Sequence, residues 1–294
     1  MSEKFVRRSL LYTPGSSMKM LTKAVGCTAD AVIIDLEDAV SVAEKDAARE
    51  NVCVMLPQLK RTGREVIVRV NAMDTVWGCR DILAVVPETP DTIIVPKADE
   101  KALTVADYLL TAAEQENGLE AGRIKMIPLF ETTYAIANAY AVLGASARID
   151  GVQLGAEDLT KEQEIERTPA GDEIFFARSQ LAFAARARGI DILDTPYTGI
   201  RDLEGLRTDA VHAREIGFTG KTCIHPSHID AINEVFSPTA EAVEYARGVV
   251  AAMEQGVAEG RGAVMYQNKM IDAPIAERAR KILQKAERIS ALEN

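Results

Sequence analysis

The feature that most constrains this chain is a repeating alternation. Short apolar, β-rich runs recur along it with helix-period segments between them. The strand candidates are Ser9–Thr13, Ala31–Asp35, Val66–Val70, Thr92–Pro96, Lys125–Phe130, Gly151–Gly155, Asp191–Asp194 and Lys221–Ile224. Runs such as Ala31-Val32-Ile33-Ile34 are apolar at every position, which suits strands covered on both faces. The helical segments between them carry one-sided stripes: Ala48, Val52, Met55 and Leu59 in one, Ala102, Ala106, Leu109 and Ala113 in another. Ser41 followed by Glu44 reads as a capping box, and Gly189 and Gly217 sit where helix C-caps belong.

Strand–helix alternation implies a parallel sheet, and eight strands suggest closure into a (β/α)8 TIM barrel. The open doubly wound sheet is the alternative, but no strand is followed by a GxGxxG loop. The barrel is expected over residues 1–236. Residues 237–294 form a C-terminal helical extension, with helices over Pro238–Gly260 and Pro274–Leu292 and a loop over Arg261–Ala273 that can reach a neighbouring subunit.

A length of 294 residues suits one such barrel and builds a core without disulfides. The four cysteines, Cys27, Cys53, Cys79 and Cys223, form no CxxC pair and read as reduced thiols of a cytoplasmic protein. The charged stretch Met1–Ser9 does not read as a secretory signal, and no apolar run approaches the ~20 residues of a membrane span. A net charge of -10 argues against non-specific nucleic-acid binding.

Polar residues recur at the C-terminal ends of the strand candidates: Asp35, Glu37 and Asp38; Arg69 and Asn71; Lys97; Glu131; Glu157 and Asp158; His225. In a parallel barrel these ends converge on the face that carries active sites. Carboxylates from different strands suit a hard divalent cation, and Glu131 with Asp158 is the preferred pair for Mg2+. The bland alternative is that these acids cap the helices that follow. Arg69 can fork onto a substrate carboxylate, or form a buried ion pair with Asp35, or both. Lys97 is the one candidate for Schiff-base chemistry. His225 and His228 lack a third ligand and read as structural.

At these residues the chain resembles citrate lyase beta subunits and the wider HpcH/HpaI aldolase family. The resemblance runs through Arg7–Gly15 (RRSLLYTPG), Asp30–Val40 (DLEDAV at its end), Glu44–Arg49, Arg69-Val70-Asn71, Pro96-Lys97 and Glu131-Thr132. It continues through Gly155-Ala156-Glu157-Asp158, Gly217–Lys221, Ile224-His225-Pro226 and Lys269–Asp272, and so covers nearly the whole chain in order. It implies a magnesium enzyme, usually a homotrimer, acting on a CoA or acyl-carrier thioester, alone or with the other subunits of a citrate lyase complex. The implied reaction is retro-aldol cleavage of a citramalyl, citryl or malyl thioester to an acetyl thioester and a 2-oxo acid. On the same resemblance Glu131 and Asp158 match metal ligands, and Glu131 and Arg69 match residues that contact the 2-oxo acid. Asp272 matches a catalytic acid delivered to a neighbouring subunit, although it also fits a helix cap before Pro274. Arg8 is expected on the barrel floor near Asp35, among the substrate-binding residues. Two other functions stay open: thioester hydrolysis at the same metal site, and a barrel that binds a partner without turnover.

Overall fold

The computed structural model describes residues 5–293, so the charged stretch Met1–Lys4 lies outside the described residues. The eight strand candidates are all strands: β1 (Ser9–Pro14), β2 (Ala31–Asp35), β3 (Glu65–Arg69), β4 (Thr92–Val95), β5 (Lys125–Phe130), β6 (Gly151–Leu154), β7 (Asp191–Asp194) and β8 (Gly220–Cys223). They pair in parallel, in chain order, and β8 returns to β1, closing the barrel. Closure leaves no exposed sheet edge. Each strand is buried at nearly every position, because its two faces meet different apolar layers: the barrel interior and the helices outside.

Register decides which residues face inward. Leu10, Ala31, Ile33, Ile67, Ile94, Ile127, Leu129 and Leu193 pack as one interior cluster with Tyr12 against it. Side chains alternate along a strand, so the next residue of the same parity continues the stack. The parallel pairs Ile33↔Ile67 and Asp35↔Arg69 therefore set Asp35 and Arg69 side by side above that cluster.

Below it the floor is polar. Arg7 is almost wholly buried; its Nε and Nη2 donate to the Glu65 carboxylate at 2.8 and 2.6 Å, and Nη2 donates to Asp150 at 3.0 Å. The floor residue is thus Arg7 and not Arg8. Since Leu10 pairs with Ala31 and Pro14 with Asp35, Arg8 lies at the opposite end of β2 from Asp35. There Nε and Nη2 of Arg8 clasp Asp30 at 3.0 and 2.9 Å. That placement corrects the expectation that Arg8 lies near Asp35.

Outside the barrel wall a second charged set is buried. Lys221 donates to Asp194 and Asp209 at 2.6 Å each, and Arg178 donates to the same two acids at 2.8 and 2.7 Å. Two cations face two carboxylates, so the charge balances where water is excluded. The four cysteines are free.

Several local expectations change. Gly189 and Gly217 do end helices in left-handed conformations, with φ of 71° and 119°. Ser41 precedes a 3-10 turn, and its hydroxyl donates to Glu44 at 2.7 Å instead of closing a capping box. Ala48, Val52, Met55 and Leu59 are buried together as expected. In the helix Glu100–Glu116, however, the buried stripe is Leu103, Ala106, Leu110 and Ala113; Ala102 and Leu109 are turned partly out.

The chain divides into two compact units after Asn233, inside the helix Ile229–Phe236. The second unit contains the helices Ala240–Ala258 and Ala273–Glu293 and a core built on Ala246, Val249, Met253, Val264, Ile271 and Ala276. The expected loop Arg261–Ala273 contains an antiparallel hairpin, β9 (Val264–Tyr266) and β10 (Lys269–Ile271). Its two turn residues, Gln267 and Asn268, have φ of 46° and 60°, the double left-handed turn that matches strand twist. Three-residue strands carry too little alternation to be read from sequence. No helix among the described residues is long and apolar enough to cross a membrane.

Removing Arg7 would leave Glu65 charged and buried without its fork. Arg7→Met should therefore lower the unfolding free energy by about 3–5 kcal/mol in urea denaturation. A loss below about 1 kcal/mol, the scale of an exposed pair, would show that this pair does not hold the floor.

Candidate active site

A cavity of about 440 Å³ opens at the C-terminal ends of the strands. Tyr12, Asp35, Arg69, Glu131, Gln153, Asp158 and Thr195 are among the residues that line it. Arg69 is its centre. The Nε and Nη2 groups of Arg69 donate to the two oxygens of Asp35 at 2.7 Å each, a parallel fork. The Tyr12 ring packs against the guanidinium, 5.0 Å from its carbon. On the other side Nη1 lies 3.0 Å from Oε2 of Glu37 and 3.8 Å from Asp38. The sequence alternatives for Arg69 are thus compatible: it pairs with Asp35 and still lines the cavity.

Asp35 also shapes the loop that follows it, since its two oxygens accept the backbone N–H groups of Glu37 and Ala39 at 2.9 and 3.1 Å. Lys45 secures the same loop from below, donating to the carbonyls of Leu36 and Glu37 at 2.7 and 2.6 Å. Asn71, tied to Asp81, donates to the Leu36 carbonyl at 2.9 Å.

Glu131 directly follows β5, with the inward parity of Leu129, and is almost fully buried. Its Oε1 accepts the backbone N–H of Lys97 at 2.7 Å. Lys97 holds a left-handed backbone, φ 47°, uncommon for a residue with a side chain. Its amide therefore serves Glu131, while its side chain is exposed and lies outside the cavity lining. Asp158 sits in the first turn of the helix Ala156–Glu162, where the helix dipole favours a negative charge. Between the two acids lies Gly155, and a Cβ there would come within 2.7 Å of the Glu131 Cβ and 3.0 Å of its Oε2. The bare glycine is what lets Glu131 stand beside this helix.

The charges in this cavity are not balanced. Burial, then the charges of Glu37 and Asp158, push the Glu131 carboxyl up to about 8 against the opposing pulls of the Lys97 amide and Arg69. Burial, with Asp38 and Asp35, likewise raises Glu37 to about 7 in spite of Arg69. Oε2 of Glu37 is buried and, although near Arg69, is not aligned for a hydrogen bond. Crowded carboxylates with an orphaned oxygen fit a hard cation. Among the described residues no group of three or more His, Cys, Asp or Glu side chains converges on one metal position. Two carboxylates, with water and substrate completing the sphere, is the arrangement magnesium commonly takes. Glu131 and Asp158 both line the cavity and are carboxylates of the kind such an ion takes.

The other expected residues fall elsewhere. His225 accepts from the Ser227 amide through Nδ1, and His228 is buried with Nε2 3.1 Å from the Ile200 carbonyl. Glu157 points to Arg167 at 3.2 Å. Asp272 belongs to the second unit, where its Oδ1 accepts the Ile275 N–H at 3.2 Å and caps the last helix. Sequence reasoning missed Tyr12 and Gln153, joined by a 3.0 Å hydrogen bond from the phenol to the amide oxygen. The available signal was a polar side chain at an inward position of an otherwise apolar strand.

The comparisons with known proteins cover nearly the whole chain. The model of the HpcH/HpaI aldolase/citrate lyase family matches residues 8–226, and that of a C-C bond lyase of the TIM-barrel fold matches residues 174–290. The citrate lyase subunit beta of Escherichia coli (strain K12) is 38% identical over 283 residues, 96% of this chain and 93% of that protein. A (3S)-malyl-CoA thioesterase of Cereibacter sphaeroides is 36% identical over 286 residues, 97% of this chain and 96% of that one. Among solved structures, the protein CitE from Mycobacterium tuberculosis in complex with magnesium, acetoacetate and coenzyme A superposes with a TM-score of 0.78. It is 30% identical and covers 96% of this chain and 98% of its own.

The raised carboxyls give a signed pH dependence. Folding holds a proton on Glu131 that the unfolded chain releases near its ordinary value of 4.5. The stability this contributes is complete below that value, falls as pH rises, and is gone above about 8. In a chelating buffer the melting temperature should therefore decline more steeply between about pH 5 and about pH 8 in wild type than in Glu131→Gln. Equal slopes would mean that Glu131 is not held protonated by its surroundings.

Proposed function

The chain belongs to the HpcH/HpaI aldolase/citrate lyase family, and from that premise we propose that it is a magnesium-dependent carbon–carbon lyase. Its substrate is a hydroxyacyl thioester of CoA or an acyl carrier whose hydroxyl-bearing carbon also carries a carboxylate. Its products are an acetyl thioester and a 2-oxo acid. The observation that carries the reading is the surplus of carboxylate around Arg69 at the barrel mouth, with Glu131 and Asp158 beside an open cavity.

Bound magnesium would supply Lewis acidity toward the substrate's hydroxyl and carboxylate oxygens and a template for them. Arg69, held by Asp35 and Tyr12, presents its remaining N–H groups to the same end of the substrate. The positive charge so fixed favours the transition state, in which negative charge grows on the oxygen that becomes the ketone. The Glu37 carboxyl, raised to about 7, can take or return a proton at neutral pH. Loss of the hydroxyl proton drives cleavage of the adjacent carbon–carbon bond, and the electron pair passes to the acetyl thioester as its enolate. Asp272 is proposed to protonate that enolate carbon, delivered by a neighbouring subunit of a homotrimer. No lysine is needed as a Schiff base, in keeping with the outward Lys97 side chain.

The 36% identity to a thioesterase favours hydrolysis as a second reading. The same residues would then activate water against the thioester, and the hydroxy acid would leave intact with free CoA.

One panel separates these readings: citramalyl-, malyl- and citryl-CoA, with and without magnesium, analysed for products. The lyase reading expects a 2-oxo acid that vanishes with EDTA; an intact hydroxy acid supports the thioesterase, and no turnover supports a binding barrel. Glu131→Gln, Asp158→Asn and Arg69→Lys should each cut turnover by about a hundredfold or more, the scale of losing one fixed electrostatic contact. Full activity in any of them displaces that residue from the site. An inactive Asp272→Ala protein mixed with an inactive Glu131→Gln protein should regain activity on subunit exchange if the tail serves a neighbour. Without recovery, Asp272 is only the helix cap.

A further inference from the structure

Gln153 is an amide in an apolar layer. It lies on β6 at the inward parity of Gly151 and Gly155, level with Leu129 of β5, its register partner. It is 2% exposed, and its register neighbour Leu193 on β7 is wholly buried. A buried primary amide is costly unless its groups are paired, and it carries two N–H donors as well as its carbonyl oxygen. Only the oxygen is engaged, by the Tyr12 phenol at 3.0 Å. The amide nitrogen has no partner among the described residues, and it stays open to the cavity that Gln153 lines.

The phenol decides which end of the amide faces the cavity. Burial pushes Tyr12 well above the ordinary tyrosine range, so it remains an O–H donor at any working pH. Its donation fixes the Gln153 oxygen toward Tyr12 and turns the N–H2 group the other way. Two residues beyond Leu193 and also lining the cavity, the Thr195 hydroxyl accepts the Ala156 N–H at 3.2 Å, and its own proton has no protein acceptor among the described residues. The cavity therefore offers neutral donors that the protein does not use. The same tyrosine ring supports Arg69, which ties these donors to the position of the guanidinium.

We propose that Gln153, oriented by Tyr12, is a specificity-determining residue whose amide nitrogen donates to an oxygen on the substituent that distinguishes one substrate of this site from another. This deepens the lyase reading and rests on it. In that reading the hydroxyl-bearing carbon has four substituents. Its hydroxyl and carboxylate belong to Arg69 and the metal-binding acids. The thioester arm must leave through the mouth, because the carrier is far too large for a barrel closed below by Arg7 and Glu65. The fourth substituent points into the barrel, toward Gln153. A methyl group or a hydrogen there would leave the amide without a partner, whereas a carboxymethyl group supplies an acceptor. The released product is then a four-carbon 2-oxo dicarboxylate. Sites built to hydrogen-bond a substrate group discriminate strongly against analogues that lack it.

The test measures product binding in the presence of magnesium by calorimetry, with freshly dissolved oxaloacetate, pyruvate and glyoxylate as probes. Wild type should bind oxaloacetate at least about tenfold more tightly than the other two. Gln153→Leu should narrow that ratio by about tenfold or more, through loss of oxaloacetate affinity. Tyr12→Phe keeps the ring under Arg69 and removes only the orienting hydroxyl, so it should narrow the ratio in the same direction by a smaller factor. That variant keeps the test valid if Gln153→Leu folds poorly. Equal affinities for all three acids in wild type, or variants that weaken all three alike, would overturn the role of Gln153 and leave the lyase reading standing. If no 2-oxo acid binds to wild type, the reading beneath it fails, and this inference falls with it.

Discussion

The Asp35–Arg69 fork is the interaction on which the candidate site depends. It exists because β2 and β3 are parallel in a register that makes the two residues neighbours, one step above the interior apolar cluster. Asp35 then does two things with the same two oxygens: it holds the guanidinium, and it accepts the amides that fold the next loop over the cavity. That loop carries Glu37 against the far side of Arg69. One cation is thereby shared among several carboxylates. Outside the wall two buried cations, Lys221 and Arg178, face two acids, Asp194 and Asp209, whereas in the floor Arg7 alone faces Glu65, Asp150 and Asp191. Paired charges in those places specify the fold. The mouth keeps an excess of negative charge beside an open cavity, with carboxyls raised to about 7 and about 8. An excess that folding by itself would disfavour is consistent with a site shaped for a cation and the anion chelated to it.

Much of this was legible in the sequence because strands buried on both faces write a continuous apolar run, and because a parallel barrel collects its strand ends on one face. Asp35, Arg69, Glu131 and Asp158 follow from those two rules together. The rest depended on facts that one-dimensional patterns lack. Arg7 and Arg8 are adjacent and chemically equal; they precede β1, where the chain bends at Arg8, so the strand alternation that places Leu10 and Tyr12 does not foretell that Arg7 enters the floor while Arg8 clasps Asp30. Tyr12 and Gln153 are 141 residues apart in the chain and meet only across the closed barrel. The hairpin of the second unit is too short to show a period, and its turn residues, Gln267 and Asn268, lack the glycine that usually announces such a turn. In the helix Glu100–Glu116 apolar residues at Ala102, Leu103, Ala106, Leu109, Leu110 and Ala113 permit two stripes, and packing selects the one through Leu103 and Leu110.

The chemistry follows a division of labour along the barrel axis. The floor closes the barrel with a buried ion pair, the middle is apolar and carries the Tyr12–Gln153 pair, and the mouth gathers acids on the loops and strand ends. In the lyase and the thioesterase readings alike, Arg69, Glu131 and Asp158 would hold the acid end of the substrate; the readings part at the bond that breaks. The second unit is built as a helical pair with a hairpin, and Asp272 there has a settled local role as a cap whether or not it also serves a neighbouring site.

The central claim is that the excess of carboxylate at the mouth is a cation site held partly protonated until the ion arrives. Calorimetric titration of magnesium at about pH 7 in two buffers of different ionisation enthalpy tests it directly, because a cation that takes over a protonated carboxyl must release its proton. The account predicts a binding heat that differs between the buffers, corresponding to about one proton released per ion, and loss of that difference in Glu131→Gln. A binding heat independent of the buffer, or a proton release that survives Glu131→Gln, would contradict it.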